Sequence, residues 1–329
     1  MAGERLTLGQ LLEFARTIRL SHSLFALPFA VGTALLAEPP WPDGLSLALL
    51  VACMVAARTA AMGMNRVADA SIDARNPRTA NREIPAGRLP RGQALALTIL
   101  SAANFVAFAW GFYGLRGTPW PGILSIPFLV VLFGYSWTKR FTALSHWVLG
   151  LALGLAPVGV WIALRSGEPV FVSDAWFFER HAPPEYAGLT LLPLVIGAAV
   201  LLWTAGFDIL YALQDVEVDR REGLFSVPAR LGPARARLAA AACHVAAFAL
   251  LAAAPFAAAR ETPDGRLGLG SLLALGPIAF ELAWYHIRTR RATAEEIAAA
   301  FFPTNATVSM LWLAGVVLDV VAGLSVRMH

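Results

Sequence analysis

Cysteine and lysine are almost missing from this chain of 329 residues: there are two cysteines, Cys53 and Cys243, and one lysine, Lys139. Both cysteines fall inside apolar runs without paired spacing, which argues against a disulfide framework and against a zinc cluster. Charge is scarce as well. Charged residues make up 15% of the chain and hydrophobic ones 57%, whereas a soluble domain carries about 25% charged residues. With a mean hydropathy of +0.61, the composition argues against a water-soluble protein and predicts a polytopic helical membrane protein. Low-complexity tracts and long linkers are absent too. Residues 1–329 are therefore expected to form one integral membrane domain.

What the chain does have is apolar sequence in long runs. They cover roughly 20–37, 45–68, 94–115, 119–138, 141–164, 187–210, 238–259, 267–287 and 298–323. Each is near or above the ~20 residues that cross about 30 Å of hydrocarbon. The expected fold is all-α, with nine transmembrane helices around a cavity. The first run, Leu20 to Ala37, is too long for a signal-peptide core and lacks a clear small-x-small cleavage site, so it reads as a mature span. Residues 1–19 are amphipathic, with Leu8, Leu11, Leu12 and Ile18 near one side, as in a helix lying on the membrane surface. Pro127, Pro157, Pro193 and Pro277 are tolerable in a membrane bundle and can bend helices around a cavity.

The basic residues report orientation. Alternating loops place 19 of the 26 on one side and six on the other, with Arg58 inside a helix. The positive-inside rule puts the N-terminus in the cytoplasm, in a bacterial cell at the inner membrane, and the C-terminus outside. The pI of about 9.5 is accounted for in this way and implies no nucleic-acid partner. The longest outer loop, 165–186, carries Trp176, Phe177, Phe178 and Tyr186, which suit the membrane interface. No obligate protein partner is evident.

Two stretches break the apolar pattern. Asn65, Asp69 and Asp73 follow the second run at i, i+4 and i+8. Each step of four turns a helical residue by about 40°, so the three share one stripe. Tyr211, Asp215 and Asp219 repeat the spacing after the sixth run. A carboxylate at bilayer mid-depth costs about 2.5–3.5 kcal/mol. Two acidic stripes at the cytoplasmic ends of membrane helices therefore point to a divalent cation or a watered cavity. The neighbouring arginines would repel a bare cation but suit an anion such as diphosphate, bridged to the aspartates by Mg²⁺. Within a membrane, that anion suggests a lipid diphosphate whose allylic tail lies among apolar helices.

These residues carry a resemblance. Asn65-x-x-x-Asp69-x-x-x-Asp73, then Arg78-Thr79-x-x-Arg82, resembles the first signature of the UbiA family of intramembrane prenyltransferases. Tyr211-x-x-x-Asp215-x-x-x-Asp219 resembles the second, and Tyr135-Ser-x-Thr-Lys139-Arg140 also fits. The resemblance implies a UbiA-type bundle in which Mg²⁺ is held by Asn65, Asp69 and Asp73 on one side and by Asp215 and Asp219 on the other. It implies that Lys139 and Arg82 contact diphosphate, with Arg66 and Arg78 nearby in the substrate site, and that Arg19 faces an aromatic acceptor. The implied reaction moves a polyprenyl group from polyprenyl diphosphate to a ring carbon of an aromatic acid in quinone biosynthesis, ubiquinone or menaquinone. 4-Hydroxybenzoate is the expected acceptor. Two positions depart from hydroxybenzoate-type members: Arg66 stands where they often carry Asp, and Glu83 where they carry Pro. Those positions resemble a menaquinone branch whose acceptor is a hydroxynaphthoate-type acid.

The remaining polar residues divide. Asp208, about two turns before Asp215, is expected to line the cavity. Arg58 is expected to have an intraprotein partner or a cavity, with structural pairing favoured over catalysis, His22 and His146 to be satisfied structural histidines, and Glu217 and Glu222 to be solvated loop acids. The alternative from another class is a cation-coupled transporter, which also uses membrane acids but places them near the bilayer midplane at broken helices. The basic asymmetry yields the first test. Reporter fusions after His329 and within 165–186 are expected to read as non-cytoplasmic, and a cytoplasmic signal from either would break the topology.

Overall fold

The structure is a computed structural model that describes residues 7–18, 26–38, 41–165, 190–261 and 267–327. Arg19, His22 and most of the 165–186 loop lie outside the described residues, and so do the readings made of them. Every regular element among the described residues is a helix, and none is a strand. The helices are α1 (Leu8–Ile18), α2 (Leu27–Ala37), α3 (Gly44–Arg75), α4 (Arg91–Arg116), α5 (Trp120–Thr138) and α6 (Ser145–Arg165). They continue with α7 (Leu191–Tyr211), α8 (Val216–Arg221), α9 (Val227–Leu231), α10 (Pro233–Glu261), α11 (Leu269–Thr289) and α12 (Ala294–Arg327).

Each of the nine apolar runs carries a helix. Seven helices among the described residues are long and apolar enough to cross a membrane by themselves. The two others differ for separate reasons. In the first run only the 11 residues of α2 are described as helix. α11 has 21 residues but holds Glu281 and, in its last turn, His286 and Arg288. The chain is an integral, multi-pass membrane protein.

Successive helices pack in order from α3 to α7. α10 follows against α7, α11 against α10, and α12 against α11, while α2 closes the arrangement by touching both α12 and α6. Large apolar side chains such as Val130, Phe256 and Phe280 stay exposed on the outside. That is the expected surface for hydrocarbon, where helices gain nothing by hiding apolar groups from lipid and associate instead through close contact. Such contact is visible between α6 and α7. A Cβ on Gly150 would lie 2.3 Å from the Leu201 carbonyl oxygen, and one on Gly154 would lie 2.4 Å from that of Gly197. The spacing Gly150-x-x-x-Gly154 lets the two backbones meet. Elsewhere the core is aromatic: Phe29 of α2 stacks on Trp312 at 4.8 Å and lies 5.1 Å from Trp203.

Arg116 ties one end of the bundle together. Its guanidinium reaches Glu38 after α2, Ser46 in α3 and the Leu164 carbonyl at the end of α6, and it also pairs with Asp43. Asp43 caps α3 by accepting from the backbone N–H groups of Leu45 and Ser46. Hydrogen bonds from Ser46, and then Arg116, hold its carboxyl well below the usual range. At the opposite end, α1 lies against α3. The leucines of α1 face outward as expected, but Ile18 does not join them. It is buried with Phe14 against Val67, Leu89 and Leu97, because α1 has protein rather than lipid beneath it.

The glycine contact is testable. Gly154→Ala is expected to destabilise the protein by about 1–3 kcal/mol through overpacking. Gly276→Ala, with open space at its Cβ position, is expected to leave thermal stability in detergent unchanged or raised. Equal melting shifts in both variants would remove close α6–α7 approach as a structural requirement.

Candidate active site

α3 runs unbroken through the first acidic motif, so Asn65, Asp69 and Asp73 do share one stripe of a 32-residue helix. The second motif departs from the expectation. α7 ends at Tyr211, Ala212–Asp215 form a 3₁₀ turn, and α8 starts at Val216. A tighter turn of three residues changes the angular step, so Tyr211, Asp215 and Asp219 do not form a regular α-helical stripe. All seven polar residues still converge. Asn65, Asp69, Asp73, Asp208, Tyr211, Asp215 and Asp219 line one cavity of 520 Å³. Arg66, Arg78, Arg82 and Lys139 line it too.

Each buried aspartate on α3 has a cation. Asp69, 3% exposed, accepts from Lys139 Nζ at 2.8 Å and Arg140 Nη2 at 3.0 Å. Asn65 Nδ2 donates to the same carboxylate at 3.2 Å. Asp73 accepts from Arg82 Nη1 at 2.8 Å on both oxygens. Asp215 is held by Arg78, whose Nε donates at 3.0 Å, and by Asn76 Nδ2 at 3.0 Å. Burial pulls the Arg78 guanidinium down, but the hydrogen bond and charge of Asp215 outweigh it, and the net direction is up. Arg78 also lies over the Tyr211 ring, 5.7 Å from its centroid.

The loop after α3 is what brings the two motifs together. Thr79 Oγ1 donates to the Asp73 carbonyl at 3.0 Å, and Asn76 Oδ1 accepts from the Arg78 backbone at 3.0 Å. Fully buried Leu89 anchors the far end of the loop. A second bridge corrects the reading of Glu222 as a solvated acid. Arg75 Nε donates to it at 2.7 Å, and that hydrogen bond lowers its carboxyl. Arg221 returns the link by donating to the Arg75 carbonyl at 2.8 Å.

The floor of the cavity is apolar. Arg58, Met62, Tyr135, Leu149 and Leu153 line both the polar cavity and an adjoining chamber of 240 Å³. Leu50, Phe105, Phe128 and Leu132 are among the walls of that chamber. Arg58, expected to have an intraprotein partner or a cavity, stands at the boundary of the two spaces. Asn76 and Arg140 join the site without an expected role in it, and His146, expected to be a satisfied structural histidine, has a partner at each ring nitrogen. Arg140 was readable beside Lys139; Asn76 was readable only as the residue closing α3, and its partner Asp215 lies 139 positions away.

The donor set suits Mg²⁺. Among the described residues no three carboxylate, histidine or cysteine groups gather into a metal cluster. Mg²⁺, however, commonly takes only one or two carboxylates and fills its other positions with water and substrate phosphate. Asp69, Asp73, Asp215 and Asp219, with the amide oxygen of Asn65, are hard oxygen donors around one space, and they fit.

Comparison with known proteins agrees with this geometry. The model of the UbiA prenyltransferase family matches residues 25–313. A 4-hydroxybenzoate octaprenyltransferase of Azotobacter vinelandii is 28% identical over 94% of this chain and 92% of its own length. One from Methylobacillus flagellatus is 29% identical, and there the match spans 58% of this chain and 56% of the relative, little more than half its length. Among solved structures, the apo structure of a UbiA homologue from Aeropyrum pernix K1 superposes with a TM-score of 0.71, at 30% identity, covering 94% of this chain and 99% of that one. A UbiA homologue from Archaeoglobus fulgidus bound to GPP and Mg²⁺ has the same fold, with a TM-score of 0.65 at 19% identity over 94% of this chain and 99% of that one. With the family match covering most of its length and the two acidic motifs lining one cavity, this chain belongs to the UbiA prenyltransferase family.

Proposed function

We propose that the chain transfers a polyprenyl group from polyprenyl diphosphate to a ring carbon of 4-hydroxybenzoate, in ubiquinone biosynthesis, at the cytoplasmic side of the inner membrane. The observation that carries the reading is one polar cavity ringed by both acidic motifs and opening onto an apolar chamber. A diphosphate fits the polar part, beside Lys139, Arg82 and Arg78, and an isoprenoid chain fits the apolar part. The relatives named as 4-hydroxybenzoate octaprenyltransferases support the choice of acceptor.

The residues then divide the work. Asn65, Asp69, Asp73, Asp215 and Asp219 would hold Mg²⁺, which when bound neutralises charge on the departing diphosphate. Lys139, Arg82 and Arg78, which now sit on aspartates, turn toward phosphate oxygens. Exchange of one anion for another leaves no cation unpaired. The allylic C–O bond breaks, and the aromatic rings of Tyr211, Phe207 and Phe301 around the cavity favour the resulting cation. The ring carbon bonds to the allylic carbon and gives up its proton to the Asp208 carboxylate. Arg66, on the cavity wall, is placed to meet the carboxylate of the acceptor, as is Arg19 by resemblance. Arg66 also supports a second acceptor, a hydroxynaphthoate-type acid of menaquinone synthesis.

Two experiments test this reading. With Mg²⁺, labelled polyprenyl diphosphate and protein in lipid, Asp69→Asn and Asp215→Asn are each expected to lower kcat by about 10²–10³-fold, the usual scale for losing charge stabilisation. Chelation is expected to stop turnover. Full activity after chelation, or in both variants, would exclude the mechanism. In competition, 4-hydroxybenzoate is expected to show the higher kcat/KM over a hydroxynaphthoate. Product from neither acid, with product from a non-carboxylated acceptor, would defeat the substrate assignment and the role of Arg66.

A further inference from the structure

Among the cavity aspartates, Asp208 is held by a histidine. Asp69, Asp73 and Asp215 each pair with lysine or arginine. Asp208 has no such cation among the described residues; its Oδ2 meets His146 Nδ1 at 2.6 Å. His146 stands in the first turn of α6 and is 3% exposed. Its other nitrogen, Nε2, accepts from the backbone N–H of Val227 at 3.2 Å. An amide N–H can only donate, so Nε2 carries no proton. The ring proton is then on Nδ1 and is donated to Asp208. Phe225, two residues before Val227, donates its N–H to the Lys139 carbonyl at 2.7 Å, so the segment that fixes the imidazole is itself fixed to the site.

We infer that His146 is a positioning residue: it holds Asp208 by one oxygen and presents the other to the acceptor. The inference rests on the prenyl-transfer reading above. A histidine that merely filled its space would need any two partners. This one joins α6, α7 and the start of α9 through two bonds of opposite sense, and one of them ends on a carboxylate that faces the cavity. Because the donor is a neutral ring, Asp208 keeps its charge uncancelled. Asp69, Asp73 and Asp215 are matched to cations that a diphosphate would claim; Asp208 is kept apart from that exchange.

The two contacts can be separated. An asparagine amide nitrogen falls near the position of Nδ1, and a glutamine amide near that of Nε2. His146→Asn therefore retains the bond to Asp208, and His146→Gln retains the bond to Val227. In full-length protein in lipid nanodiscs, ¹⁵N spectra are expected to show the Nδ1–H tautomer, in a signal lost on His146→Asn. In turnover, His146→Asn is expected to retain a higher kcat than His146→Gln. His146→Gln is expected to lose about 10–100-fold in kcat, as for other residues that orient a working group, with the KM for polyprenyl diphosphate unchanged. Melting temperatures report folding separately. An Nε2–H tautomer, equal kinetics for the two variants, or losses that track melting temperature would overturn the inference while leaving prenyl transfer in place. A wild-type protein that transfers no prenyl group to any acceptor would overturn the functional reading, and with it this role.

Discussion

Carboxylates at the ends of apolar helices need counter-charge, and most of the inner architecture follows from that need. An isolated buried ion costs several kcal/mol even after relaxation. Asp69 and Asp73 are among the most buried charged groups of the chain, and each is answered by a cation from another segment. Lys139 and Arg140 come from the end of α5, Arg82 from the loop after α3, and Arg78 from the same loop toward Asp215. The pairs therefore serve as the fasteners of this end of the bundle. They are also exchangeable, since any anion entering the cavity offers the same cations a new partner. Stability without ligand and affinity for a diphosphate thus draw on one set of residues.

The readable parts of this design were those with local periodicity. Asn65, Asp69 and Asp73 repeat every four residues on a continuous helix, so sequence spacing translates directly into a shared face. The apolar runs likewise matched helices, because hydrocarbon forces backbone groups to be satisfied within the segment. The second motif kept the same spacing but not the same geometry. Nothing in Ala212 to Asp215 announces a 3₁₀ turn, and the contacts that accompany it come from Asn76 and Arg78, more than 130 positions away. Pairings such as Arg75 with Glu222 were equally hidden, since a helix-end acid looks the same whether it meets water or a guanidinium. The cavity was inferable as a necessity of charge; its walls were not.

The two chambers set out a division of chemistry along α3. From Leu50 to Arg58 the helix lines apolar space, and from Asn65 to Asp73 it lines polar space, with Arg58 and Tyr135 at the join. An amphiphile with a charged head and a long apolar tail is the kind of ligand that satisfies both ends at once. A small inorganic cation in transit would gain nothing from the apolar chamber, and the acids lie at the helix ends rather than at the midplane. The cation-coupled transporter is the weaker reading on both counts.

α1 adds the approach from outside. Its exposed leucines, Leu8, Leu11 and Leu12, face away from the protein, while Arg16 and Thr17 border the cavity. Glu13, on the same helix, pairs with Arg16 and with Arg88 beyond the first motif loop. A helix whose outer side suits the lipid interface and whose inner side borders the site connects the two environments that the substrates come from. On the proposed reading, the diphosphate lipid would start in the bilayer and the aromatic acid in water. Their meeting point has to lie where membrane, water and charge coincide. In this fold that place is the Asn65–Asp73 end of α3, beneath α1.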